Sequence, residues 1–204
     1  STEQISGSIL VNNPNYNFTD KALKVGFDIS TTDRSASSGY ESTKTGFVLG
    51  VGFEQYEDLF FTPELSVAFE DIEAEESASA AIKNMEGNFF NVDFSYGLIL
   101  DKRDQSWKPT DGYTASFSQS LPIVQNSSAI SNSFFVSTYH DLSDDVIASL
   151  KFHAAAINGI DKDVRLTKRL YMRQNNLRGF NIRKVGPKDG DDYIGGNYTT
   201  ALSA

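Results

Sequence analysis

From Leu23 to Ile29 the chain alternates without a lapse. Leu23, Val25, Phe27 and Ile29 are large and apolar, and Lys24, Gly26 and Asp28 between them are charged or bare. A period of two places the first set on one face of a strand and the second on the other; a helix, with its period near 3.6, cannot satisfy it. The pattern recurs. Phe47, Leu49, Val51 and Phe53 oppose Gly46, Val48, Gly50 and Gly52. Leu59, Phe61, Leu65, Val67 and Phe69 oppose Thr62, Glu64, Ser66 and Ala68, with Pro63 on the apolar face. Pro63 is awkward there because it has no N–H to give a ladder, and a bulge could absorb it. Phe90, Val92, Phe94, Tyr96, Leu98 and Leu100 oppose Asn91, Asp93, Ser95, Gly97 and Asp101. Tyr113, Ala115, Phe117 and Leu121 oppose Thr114, Ser116, Ser118 and Ser120. Val146, Ala148, Leu150, Phe152 and Ala154 oppose Ser149, Lys151 and His153. A weaker strand at 5–12, one of ambiguous facing at 133–141 and the start of a ninth at 196–204 complete an all-β chain.

The connections separate two all-β classes. They run short at 13–20, 54–58 and 142–145, long at 31–44, 71–88 and 122–132, intermediate at 102–112 and longest at 158–195. A soluble sandwich also alternates apolar with polar residues, but nothing in it gathers the long loops at one end. A transmembrane antiparallel β-barrel does so, with short turns on one side, long loops on the other and strands of roughly 9–11 tilted residues. The apolar faces carry no charge, whereas the opposing faces carry Lys24, Asp28, Glu64, Asp93, Lys151 and His153. Tyr16, Phe18, Tyr56, Trp107 and Tyr113 lie near the short turns, where an interfacial girdle would place them. The acidic, Ala/Ser-rich stretch 71–88 has no apolar stripe and is expected to be an exposed loop, with at most a short helix. The fold expected is a partial transmembrane barrel.

Composition narrows the chemistry. A net charge of −9 and a pI near 4.7 speak against a nucleic-acid partner. There is no cysteine, and His140 and His153 stand in no ligand-spaced cluster, so no metal site is expected. No apolar run reaches the roughly 20 residues of a membrane helix, and no secretory leader opens the chain, which is expected to begin inside a larger protein or to have lost one. Asp101-Lys102-Arg103-Asp104 reads as a solvated charge run at a strand end rather than an acid–base cluster. Asp189, Asp191 and Asp192 match no calcium-loop spacing and read as solvated loop. With no Ser/His/Asp set, phosphate loop or nucleotide fingerprint, neither an enzyme nor a cofactor is expected.

Five short motifs follow in order: Asn12-Asn13-Pro14-Asn15-Tyr16, Pro109-Thr110-Asp111-Gly112-Tyr113, Leu177-Arg178-Gly179-Phe180, Gly186-Pro187-Lys188 and Gly195-Gly196-Asn197. In order and spacing they resemble the barrel of the BamA-type outer-membrane protein assembly factors, of the bacterial surface antigen family. The resemblance covers essentially all 204 residues. One departure is Leu177, where the family pattern has Val before Arg-Gly-Phe or Arg-Gly-Tyr.

The resemblance implies a single domain, 1–204, of about nine strands, running from the fourth strand of a sixteen-strand barrel to the start of the twelfth. Periplasmic POTRA domains and the remaining strands would lie outside it. It implies that the loop at 158–195 folds inward, with Leu177, Arg178, Gly179 and Phe180 at its tip meeting the inner wall. Arg178 would present its planar fork to carboxylates, in this case on strands beyond Ala204. Gly186, Pro187, Pro109, Asp111 and Gly112 would shape the loop's return and a turn. The implied function is folding and inserting β-barrel proteins into the bacterial outer membrane. The implied partners are outer-membrane lipid, unfolded outer-membrane protein clients and accessory assembly lipoproteins. The alternatives are a TamA-like factor or two-partner-secretion translocator of the same superfamily, a passive porin-type channel, or a soluble β-sandwich.

Overall fold

The computed structural model describes residues 3–35, 39–125, 128–172, 176–177, 179–180, 184–190 and 192–204. Eight strands follow one another as β1 (Glu3–Asn13), β2 (Ala22–Asp33), β3 (Tyr40–Tyr56), β4 (Leu59–Ala74), β5 (Gly87–Asp101), β6 (Gly112–Gln125), β7 (Ala129–Ser143) and β8 (Val146–Gly159). Two-residue strands β9 (Lys188–Asp189) and β10 (Asp192–Tyr193) form a small hairpin within the long connection, and β11 (Tyr198–Ser203) closes the series. All neighbours pair antiparallel, in the order β1-β2-β3-β4-β5-β6-β7-β8-β11. One four-residue helix, α1 (Ala80–Lys83), follows β4.

The faces predicted from β2 to β6 and for β8 are those observed. On the inner face the Lys24 ammonium on β2 meets Glu64 on β4 at 2.6 Å, across the intervening strand β3. The outer face carries Phe27, Ile29, Phe47, Leu49, Leu65 and Phe69, all open to the surroundings, and rings pair along it, as Phe69 does with Phe90 at 4.8 Å. Among the described residues no second sheet covers this apolar face, which is what a sandwich would require and what a wall facing lipid does not need. Tyr16, Phe18, Tyr56, Trp107 and Tyr113 are likewise exposed at the short-turn end.

The segment of ambiguous facing is settled by its register. Phe134 stands opposite Ala154 and packs on Phe152, on the outer face. Phe135 stands opposite His153 and lines the interior with Lys151.

Three expectations are corrected. Pro63 needs no bulge: Gly50 pairs with Glu64 and Phe53 with Phe61 in one continuous register, so only the pairs between drop out of the ladder. The irregularity lies nearer the turn, between Glu54 and Tyr56. The long connections are also shorter than the sequence suggests, because β2, β3, β4 and β5 run on as strands of polar residues, 12 to 17 residues long, beyond the roughly 9–11 that cross a bilayer. Finally, the stretch 71–88 is not an exposed loop throughout. Ile72, Ala78 and Ile82 are buried, and with Tyr40 and Leu166 they form the larger buried apolar cluster of the described residues. An isolated apolar residue in an acidic stretch makes no stripe, yet each of these finds a partner from another element.

Candidate functional site

The connection between β8 and β11 decides what the interior can do. It leaves the wall at Gly159 and lays its first leg against β4 and β5, four and three strands away. There the Arg165 guanidinium donates from Nη1 to the Glu70 carboxylate at 3.2 Å and from Nη2 to the Asn91 side-chain oxygen at 2.6 Å. Its Cζ lies 4.3 Å from the centre of the Phe89 ring. Arg165 is 3% exposed and Glu70's side chain 10%. A fixed fork is suited to serving a carboxylate, an amide and a ring face together. Lys168, one turn on, lies 3.9 Å from Asp93 on β5. Burial pushes both cations below their ordinary pKa, with Glu70 and Asp93 pulling Arg165 back, and Asp93 chiefly doing so for Lys168.

Between these cations Leu166 enters the cluster of Tyr40, Ile72, Ala78 and Ile82, while Val164 joins Ala129 and Ile157 near β7 and β8. The leg therefore spans the interior, with apolar contacts on both walls.

The return is built from the motif Gly195-Gly196-Asn197. Leu170 and Gly196 exchange two backbone hydrogen bonds of 2.8 and 2.9 Å, and the Ile157 amide donates to the Asn197 carbonyl at 2.8 Å. Gly195 takes φ +70° beneath the Tyr171 ring, where a Cβ would sit 2.8 Å from ring carbon, so no other residue fits without displacing Tyr171. Ahead of it the Ile194 amide donates to the Pro187 carbonyl at 3.1 Å, which fixes the β9–β10 hairpin. The Ser79 amide donates to Asp192 at 3.2 Å, tying that hairpin to the start of α1. Asp192 is thus not the solvated residue expected; Asp189 stands opposite it, and Asp191 lies outside the described residues.

Of the tip, Leu177 is half-buried, Gly179 adopts φ +85° with open space around its Cα, and Phe180 is 56% exposed. Arg178 lies outside the described residues. Asn176, just before the tip, lines the interior with Phe135, Lys151, His153 and Ala201. The structure brings Gly186 and Pro187 to the base of the hairpin. It places Pro109, Asp111 and Gly112 at the opposite end of the wall, in the β5–β6 turn.

That turn is organised by Asp104, whose carboxylate accepts from the Thr110 amide at 3.0 Å, the Thr110 hydroxyl at 2.7 Å and the Asp111 amide at 3.2 Å. These bonds, the Thr110 hydroxyl first, hold Asp104 below the usual carboxylate range. Arg103 forks onto Asp101 through Nε at 2.7 Å and Nη2 at 2.6 Å, and Lys102 reaches Asp58 on the β3–β4 turn at 2.5 Å. The charge run 101–104 is therefore a brace within and between turns. On the exposed rim His140 lies 4.0 Å from its chain neighbour Asp141 and 3.3 Å from Asp111, and folding alone creates the second proximity.

Sequence reasoning missed Arg165 as the residue that anchors the loop to the wall. Its signal is faint: a single Arg between Val164 and Leu166, both apolar in an otherwise polar stretch.

A single antiparallel wall, apolar outside and charged inside, with short turns at one end and a loop turned across its interior, defines part of a transmembrane β-barrel of the outer-membrane type. The chain belongs to the Omp85 superfamily, whose domain it matches across residues 1–204. It is similar to the outer membrane protein assembly factor BamA of Neorickettsia risticii, 26% identical over 175 residues that cover 81% of this chain and 23% of the relative. It is also similar to the human sorting and assembly machinery component 50 homolog, 27% identical over 124 residues that cover 59% of this chain and 26% of the relative. The chain thus spans about a quarter of the length of these relatives. The crystal structure of Haemophilus ducreyi BamA lacking POTRA domains 1-3 superposes over 98% of this chain and 44% of that one, with a TM-score of 0.85 at 18% identity. The fold is accordingly that of the BamA-type barrel.

Proposed function

We propose that this chain is the central wall and inward loop of a bacterial outer-membrane factor that folds and inserts other β-barrel proteins. The observation that carries the reading is the interior-crossing loop held by Arg165, in a chain of the Omp85 superfamily whose relatives bear assembly names. Barrels of other kinds also carry inward loops as plugs, so the weight against a passive pore lies in the Omp85 membership of the chain. An assembly factor gains a closed lumen while its wall is engaged in pairing strands. The partners are unfolded barrel proteins, outer-membrane lipid and accessory assembly lipoproteins. No covalent step, metal or cofactor enters: the driving free energy is the client's own strand pairing and apolar burial in lipid. In this reading the tip, Leu177 to Phe180, meets the inner wall through Arg178, and the whole of 158–195 acts as an inward-folding unit of the one domain 1–204.

The test is depletion of the full-length protein, with folded levels of unrelated outer-membrane barrels as readout. Loss of those barrels supports the proposal. Unchanged levels, together with a large steady conductance in planar bilayers, would establish the porin reading instead. Within the loop, Arg178→Ala is expected to impair assembly more than Arg183→Ala, and equal effects would remove any special role from the motif arginine.

A further inference from the structure

We propose that the base of the loop is a lock in its own right: Arg165, clamped by Glu70, Asn91 and the Phe89 ring, straps the lumen shut at its long-loop end independently of the tip. The proposal rests on the inward-loop reading above and adds where the closing contact lies and what it closes.

Three observations carry it. The first is position. Arg165 and Glu70 are 95 residues apart in sequence, and the leg that joins them starts on β8, so the contact bridges opposite parts of the wall rather than neighbours. The second is independence from the tip. The leg is fixed at both sides by described residues alone, with Leu166 in the Tyr40–Ile72–Ile82 cluster and Val164 against Ala129 and Ile157. The Leu170–Gly196 bridge then closes the base of the loop before the tip begins. None of these contacts is made by Leu177, Gly179 or Phe180. The third is what lies beneath. Thr167 and Lys168 roof a cleft floored by Asp28, Gly46, Ser66 and Asp93 on the inner wall. On this proposal, lifting the leg opens that floor further to water-borne solutes from the long-loop side.

The chemistry of the lock is reversible. A guanidinium held by one carboxylate, one amide and a ring face leaves as a unit and regains its hydration outside. Lifting the leg thus requires breaking a buried ion pair and withdrawing Leu166 and Val164 from their apolar clusters, but no covalent or strand-order change.

The experiment uses the full-length protein in lipid vesicles with Ser66→Cys as its only cysteine; none of the 204 residues here is a cysteine. The rate of labelling by a membrane-impermeant maleimide added on the long-loop side is measured. Labelling is expected to be slow in the parent. Arg165→Glu should speed it by at least about ten-fold, since stranding one partner of a buried pair shifts a local opening equilibrium by more than that. Arg165→Glu combined with Glu70→Arg should return it close to the parent rate. Arg178→Ala should leave it slow. Gel mobility without heating confirms that each variant holds a folded barrel; if Arg165→Glu does not fold, Arg165→Lys, which keeps the charge but loses the fork, should give an intermediate rate. Unchanged labelling in a folded Arg165 variant overturns the proposal. So does failure of the charge swap to restore protection, or an equal opening by Arg178→Ala. Labelling does not report on client folding, so a lock that behaves as described in a protein that assembles nothing would overturn the functional reading alone.

Discussion

Replacing Gly112 by Ala tests whether the β5–β6 turn is as tightly specified as its geometry implies. Gly112 sits at φ +93°, and a Cβ there would lie 2.2 Å from the Lys102 carbonyl oxygen and 2.9 Å from the Arg103 Cα. Both obstacles are backbone, so no rotamer change relieves them. Holding an L-residue in such a region costs roughly 1–3 kcal/mol. Relieving the clash means moving 102–103 away from 112. That move stretches the Lys102 amide to Tyr113 carbonyl bond, now 2.9 Å, and the Asp104 amide to Asp111 carbonyl bond, now 3.2 Å. Each is worth about 0.5–1.5 kcal/mol net, so the total loss is about 2–6 kcal/mol. Gly190→Ala is the control: Gly190 has φ +59° but nothing within 4 Å of the added carbon, so only the conformational cost of about 1–2 kcal/mol remains. The assay is urea unfolding of the full-length protein in detergent micelles, read as loss of the compact gel band. Gly112→Ala should lower the midpoint clearly more than Gly190→Ala. Equal midpoints would falsify the claim that backbone crowding, rather than the sign of φ alone, selects glycine at 112.

Four further outcomes follow from the same structure. Glu70→Gln should destabilise by about 3–5 kcal/mol, because it leaves a buried guanidinium without its charge partner. Glu64→Gln should cost less than about 1 kcal/mol, because the Lys24–Glu64 pair is 42% and 31% exposed and solvent screens it; parallel unfolding titrations compare them. Phe134→Arg should hinder insertion into vesicles and cost about 2–4 kcal/mol if it lies near the bilayer midplane, whereas Phe135→Arg, one residue on but facing the lumen, should insert normally. Asp104, whose carboxyl is held below its ordinary 3.8 by Thr110 and the Asp111 amide, contributes to turn stability above that value. The contribution is lost as pH falls through the lower folded-state value. Amide exchange at Thr110 and Asp111 should therefore quicken in that acid window in the parent and show no such step in Asp104→Asn.

Most of the wall was legible because a lipid-facing barrel imposes period two on nearly every strand. Leu23 to Ile29 could be read as a strand, with its faces assigned, from seven residues. Where that code broke, the sequence fell silent for physical reasons. In 133–141 the pair Phe134-Phe135 gives both faces an aromatic ring, so alternation cannot choose between them; only pairing with Ala154 and His153 does. The upper strands, such as 40–46 and 70–74, stand where water bathes the outer face, so their outward residues are polar and the alternation that marks a strand fades. Register with neighbours carries those residues as strand, and register is a long-range property.

Arg165 shows the same limit at the site itself. A tetrapeptide such as Leu177-Arg178-Gly179-Phe180 draws the eye because glycine beside a large side chain is a local signal. The contact that holds the described part of the loop has no local signal, since its carboxylate is 95 residues away and its amide 74. On β4, Glu70 looks like one more acid in an acidic run, and on β5 Asn91 looks like one more polar residue on an inner face. What distinguishes them is burial, and burial here comes from the loop that lies on them. The strap and its socket define each other. The acidic run around Glu70 is therefore better understood as a wall that needs one cation to cover it. A guanidinium supplied from four strands away both neutralises Glu70 and fixes the path of the chain across the lumen.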